Sequence, residues 1–184
     1  MGSPPANPYP WYAGVSGPDL EQGDILLACP VFVIPPGAPG TQEDAVGVTT
    51  REENVIVMTQ SCDLVVQPGR SAGAAEAVLC RIHFKHELAG DRVFGRNESW
   101  NTAKKGRFAS YHVLNRCRIS GLELDFMLVD LSRVYTLSLE AARQLASDHS
   151  PRPRLLPPYR EHLAQAFARF FMRVGLPEDI PDFP

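Results

Sequence analysis

The sequence predicts an α+β fold in which a small antiparallel β-barrel is covered by C-terminal helices. About seven short apolar or alternating runs follow one another with turn-rich connections, which suits antiparallel strands rather than βαβ units. Helical periodicity is confined to a stretch near residue 100 and to the chain after Ser138. The 17 prolines cluster at 4–5, 8–10, 35–36 and 151–158, so they mark an arm and connections rather than element interiors.

Residues 1–18 read as a Pro/Gly-rich arm carrying Tyr9, Trp11 and Tyr12, and residues 19–184 as a single barrel-plus-helix domain. Gln22–Ile34 is a first strand, broken or bulged near Pro30 because proline donates nothing to a ladder. Val46-Gly-Val begins a second strand, Asn54–Thr59 is a third, and Ala77–Phe84 a fourth. Asn97–Lys105 is a short helix, capped by Asn97 and stopped at Gly106. Phe108–Leu114, Leu122–Asp130 and Arg133–Leu137 supply three more strands. Ser138 caps a helix to about Ala146, with Leu139, Ala142 and Leu145 at helical spacing. A proline-punctuated linker, Ser150–Pro158, leads to the clearest helix, Tyr159–Val174. On it, Leu163, Phe167, Phe170, Phe171 and Val174 gather on one side, with His162, Gln165, Arg169 and Arg173 roughly opposite.

Bulk properties bound the function. The net charge of −3 gives no global attraction to nucleic acid or to an anionic membrane, so such a partner needs a local basic patch. No apolar run is long enough to span a bilayer, and the first residues lack the basic start and apolar stretch of a secretory signal. A cytoplasmic protein with no membrane partner is expected. Cys29, Cys62, Cys80 and Cys117 are dispersed in apolar surroundings and are expected to be free thiols.

The stretch richest in chemistry is Val55-Ile-Val-Met-Thr-Gln-Ser-Cys-Asp63, an apolar strand that ends in small polar residues. It brings the Thr59, Gln60 and Ser61 side chains, the Cys62 thiol and the Asp63 carboxylate to one spot on the rim of the core. Cys62 is a candidate nucleophile, with Asp63 to orient a histidine drawn from His83, His86, His112 or, by preference, His162. The competing reading makes Cys62 a small core residue and Asp63 a turn cap. Cys80, His83 and His86 fall at intervals of three, but a strand turns such residues to opposite faces, so no metal site is expected. No cofactor is expected either: phosphate-loop, dinucleotide, nucleophile-elbow and zinc-protease motifs are absent from the sequence.

Basic residues gather at Lys104, Lys105 and Arg107, at Arg116 and Arg118, and along the last helix. Interleaved with Trp100, Tyr111 and Tyr159, they suit a phosphate-reading surface as well as a solvated face. Arg169 and Arg173 are like charges one turn apart, which an acid or an anion would relieve.

Gln22-Gly-Asp-Ile-Leu26, Val55–Leu64 and Pro158–Pro177 resemble the corresponding motifs of a bacterial family of small hypothetical proteins, a resemblance that brings no activity with it. Gly23-Asp-Ile25 and Val55–Ser61 are also similar in placement to the PemK/MazF-like barrels of toxin–antitoxin systems. That resemblance implies an SH3-like barrel and RNA cleavage. The Arg-Pro which that family carries before its Val-rich strand is replaced here by Arg51-Glu-Glu-Asn.

The function expected from these readings is a ligand-binding or interaction module. Thr59, Gln60 and Ser61 at the strand end would face Arg160, Gln165, Arg169 and Arg173 of the last helix across a shared hollow. The partners expected are an anionic small molecule or a protein segment, with nucleic acid disfavoured by net charge and an oligomer formed through the N-terminal arm. The alternative is a cysteine-dependent hydrolase or transferase using Cys62, Asp63 and His162, or a MazF-like RNA-cleaving or RNA-binding protein.

Overall fold

The apolar runs pair into an open antiparallel sheet of five strands and a smaller sheet of two. The structure, a computed structural model, describes residues 9–33, 49–65 and 73–172. In order they form β1 (Tyr12–Val15), β2 (Ile25–Val33), β3 (Thr49–Val57), the single turn α1 (Ser61–Leu64), β4 (Glu76–Phe84), α2 (Asn97–Lys104), β5 (Tyr111–Leu114), β6 (Met127–Ser138), α3 (Leu139–Asp148), β7 (Arg152–Leu155) and α4 (Tyr159–Phe171). The large sheet runs β2-β3-β4-β6-β5, and β1 pairs with β7.

The α+β class and the antiparallel pairing stand. The described strands do not close into a barrel: β2 and β5 are edges, and β1 pairs with β7 rather than sealing the sheet. As an edge strand, β2 accommodates Pro30 opposite Glu52, and the irregularity falls earlier, between Leu26 and Cys29. There Ala28 adopts φ +48° and its N–H is taken by Asn54 Oδ1 at 3.1 Å. Val46-Gly-Val lies outside the described residues, and the strand from Thr49 runs unbroken through Val57. The two runs on either side of residues 131–133 are one strand, β6, because Arg81 pairs with Asp130 while Cys80 pairs with Val134. Asp130 Oδ1 holds this bulge by accepting from Ser132 N at 3.0 Å and Ser132 Oγ at 2.5 Å.

Alternation along the central strands divides the core. Ile56, Cys80, Ile82, Leu114, Met127 and Val129 face one side, where α4 inserts Leu163 and leans Phe167 and Phe170. Val55, Val57, Ala77 and Leu79 face the other, beneath Leu139, Ala142 and Ala146 of α3. Ser138 caps α3, its Oγ accepting from Ala141 N at 3.2 Å. A third cluster places Trp100 and Ala103 of α2 against Phe94 and Leu128. The residue before α2 is Arg96, and no side chain caps the helix, so Asn97 is its first residue rather than its cap.

The stretch expected to be a linker contains β7, and residues 12–15, grouped with the arm on sequence, form its partner. The two sheets meet at Gly23, which donates to Val57 O and accepts from Leu155 N, both at 2.9 Å. Trp11 stacks on Tyr159 of α4 with ring centroids 3.6 Å apart and planes 8° apart. Tyr12 is buried and donates its hydroxyl to Asn115 O at 2.7 Å. The N-terminal aromatics thereby tie β1, β5 and α4 together.

Candidate functional site

The polar strand end is largely engaged in holding the fold. Thr59 Oγ1 accepts from Val78 N at 2.7 Å, and Ser61 Oγ accepts from Gln22 N at 3.1 Å. The Gln22 amide, itself buried, donates to Met58 O at 2.8 Å. Cys62 is an exposed free thiol whose Sγ lies 3.7 Å from Asp63 Oδ1; among the described residues no histidine hydrogen-bonds to it.

Helix α4 carries a hollow on each flank. The first, about 320 Å³, brings Thr59, Gln60 and Asp63 together with Gln22 and with Ala164, Phe167 and Ala168 of α4. The strand end and the last helix therefore do meet. They meet through the small residues of α4, and among the described residues of that wall the titratable group is Asp63. At about 100° per residue, His162, Gln165 and Arg169 point to the opposite flank. They line the second hollow, about 770 Å³, where they face Lys105, Tyr111 and His112. The structure thus places Asp63 and His162 in different hollows.

The second hollow has a consistent electrostatic character. Lys105, Arg169, His112 and His162 lie on its walls with Tyr111, and no carboxylate is found among the residues that line it. Arg169 Nε donates to Gln165 O, one turn back, at 3.2 Å, and no carboxylate pairs with this guanidinium among the described residues. His112, on edge strand β5, is pushed down to about 4 by burial first, then by the neighbouring charges of His162 and Arg169. A floor of Phe108 and Phe170 completes the groove.

Arg160 belongs elsewhere. Its guanidinium reaches Glu21 Oε2 at 3.3 Å and Glu161 Oε1 at 3.1 Å, joining an ion cluster built on Asp24, Arg152 and Arg154. Arg173 lies outside the described residues. Cys80 is buried on the α4 side of the sheet, where burial pushes its thiol up to about 12. His86 sits 3.5 Å from Asp125, and no group of three or more metal-binding side chains occurs among the described residues. No helix among them is long and apolar enough to cross a membrane.

Sequence reasoning identified one wall of the groove, the His162–Gln165–Arg169 stripe, and missed the facing wall of Lys105 and His112. The signal available for His112 is a histidine within the otherwise apolar or aromatic run Tyr111–Leu114, which places it beside a core position of an edge strand. No family model matches the chain, and no curated protein or solved structure matches it.

Proposed function

We propose that the protein is a binding module that takes an anionic ligand in the groove between β5 and α4. The observation that carries this reading is the convergence of Lys105, His112, His162 and Arg169 on one hollow whose described wall has no carboxylate. Cations brought together without a counter-charge repel one another, and the burial of His112 sharpens the cost. An anion in the groove relieves that repulsion, with Arg169 offering a planar donor fork and the histidines N–H groups. Phe108, Tyr111 and Phe170 favour a ligand in which a phosphate or carboxylate is attached to a flat apolar body. Thr59, Gln60 and Asp63 occupy the other flank of α4 and take no part in it.

Calorimetric titration with adenosine monophosphate, and with inorganic phosphate alone, tests the reading. Arg169→Glu should weaken binding at least tenfold with an unchanged melting temperature, whereas Asp63→Asn, on the opposite flank, should leave it unaltered. Failure of both probes to bind, or equal losses from the two substitutions, would refute it.

A further inference from the structure

The groove beside α4 has a neighbour on the far side of the same edge strand. There Trp11, Lys104, Val113, Asn115 and Phe126 surround a second hollow of about 280 Å³. The two hollows share β5, with Tyr111 and His112 on one and Val113 on the other. They also share the C-terminal end of α2, through Lys105 and Lys104 respectively.

The chemistry of the second hollow differs from that of the first. Three cations crowd the Phe126 ring: Arg116 with Cζ 4.5 Å from its centroid, Lys104 with Nζ at 4.9 Å and Lys85 with Nζ at 6.0 Å. Asp125 offsets one of them through its 3.1 Å pair with Arg116. Lys85 and Lys104 have no carboxylate partner among the described residues. Trp11, one face of which is stacked on Tyr159, offers its remaining surface to this hollow.

We infer that these two hollows form one track along β5 for a single-stranded nucleic acid. This inference rests on the anion-binding reading of the α4 groove and names its ligand class. Lys104, Lys105 and Arg169 are spread along the track and would contact successive phosphates, while Trp11 and Phe126 supply aromatic surfaces on which unpaired bases stack. A duplex buries its base faces and cannot use those rings. An acidic peptide would satisfy the cations but has no flat group for the ring-lined hollow. The net charge of −3 is no obstacle, because the positive charge that matters is local to the track. None of the track's residues lies in Gly23–Ile25 or Val55–Ser61, and the inference concerns binding, with no chemistry on the strand.

Fluorescence anisotropy with end-labelled single-stranded 12-mers of oligo(dT) and oligo(U), compared with adenosine monophosphate, decides the matter. The expected 12-mer affinity exceeds that of the mononucleotide at least tenfold and falls with salt by roughly 0.7 log units per phosphate contacted for each decade of salt. Lys104→Glu, with Lys104→Gln as the milder variant, should weaken the 12-mer several-fold without changing mononucleotide binding. Arg169→Glu should weaken both. If the mononucleotide binds but the 12-mer gains nothing, or Lys104 variants have no effect on it, the track is wrong and the anion groove stands. If neither binds, both readings fall. Equal affinity for a duplex, or displacement of the 12-mer by an equal concentration of a poly-glutamate peptide, would show that charge alone is read and would also overturn the track.

Discussion

Arg152 grips Asp24 with two donors, Nε at 3.0 Å and Nη2 at 2.8 Å, although the side chains are only 2% and 0% exposed. The remaining guanidinium hydrogens go to Gly17 O at 2.7 Å, Ala146 O at 2.9 Å and Asp19 O at 2.7 Å, so all five donors are used. Arg154 bonds the other oxygen of Asp24 and reaches Glu21, which also holds Arg160 of α4. A buried ion pair stabilises only when its polar atoms are satisfied, and removing one partner strands the other charge. Asp24→Asn should therefore cost about 3–5 kcal/mol, measured by urea unfolding. The corresponding fall in melting temperature is on the order of 10 °C. A loss below about 1 kcal/mol would mean that water reaches the cluster and shares its burden.

Gly23 joins the two sheets, and its environment admits no side chain. Its φ is +92°, and an added Cβ would lie 3.0 Å from Leu155 Cβ and 3.1 Å from Leu155 O. Gly23→Ala thus combines left-handed backbone strain with a clash against backbone that cannot yield, for a loss of roughly 2–4 kcal/mol. Gly106, after α2, has φ +66° with nothing within 4 Å of its added Cβ. Gly106→Ala should cost only the conformational part, about 1 kcal/mol. Equal losses at the two positions, by thermal or urea unfolding, would contradict the contact argument.

These two positions also show where sequence reasoning reached its limit. The run Val55–Val57 and the Leu163-centred face of α4 were legible, because period and β-branching are local properties. The strand β7 was not. Arg152, Pro153 and Arg154 carry every mark of a solvated linker, and they become a strand only through β1 and through Asp24, 128 residues away from Arg152. The same holds for the groove. The polar stripe of α4 is written in the spacing of His162, Gln165 and Arg169, but what it faces depends on where β5 lies in the sheet. The sequence paired the stripe with Thr59–Asp63, and the fold sets it against Lys105 and His112 instead.

The four cysteines should separate cleanly by reactivity. Cys29, Cys80 and Cys117 are buried, and burial pushes the first two thiols up to about 11 and about 12. Cys62 is exposed. A disulfide exchange reagent at neutral pH should modify one thiol per native chain and reach the others only in denaturant, since thiolate and access control the rate. Cys62→Ala should abolish the native reaction and shift stability by less than about 0.5 kcal/mol. It should leave anion binding unchanged. A large stability loss would instead give Cys62 a packing role.

His112 should make both stability and ligand affinity depend on pH. Its folded value of about 4 lies below the ordinary 6.5, with burial the larger cause and the charges of His162 and Arg169 the lesser. In that interval the unfolded chain binds a proton that the native chain refuses, so stability rises with pH across it. On acidification the loss begins near pH 6.5 and is complete near pH 4, amounting to roughly 3 kcal/mol from this residue. His112→Gln should flatten that portion of the stability profile. An anion bound among Lys105, His112, His162 and Arg169 offsets the charges that help hold His112 neutral, so binding should take up protons and tighten as pH falls from 7 to 5. Calorimetry in buffers of different ionisation enthalpy measures that uptake directly. With His112→Gln the uptake should shrink while binding at pH 8 persists, and affinity independent of pH in the wild type would place the ligand away from this histidine.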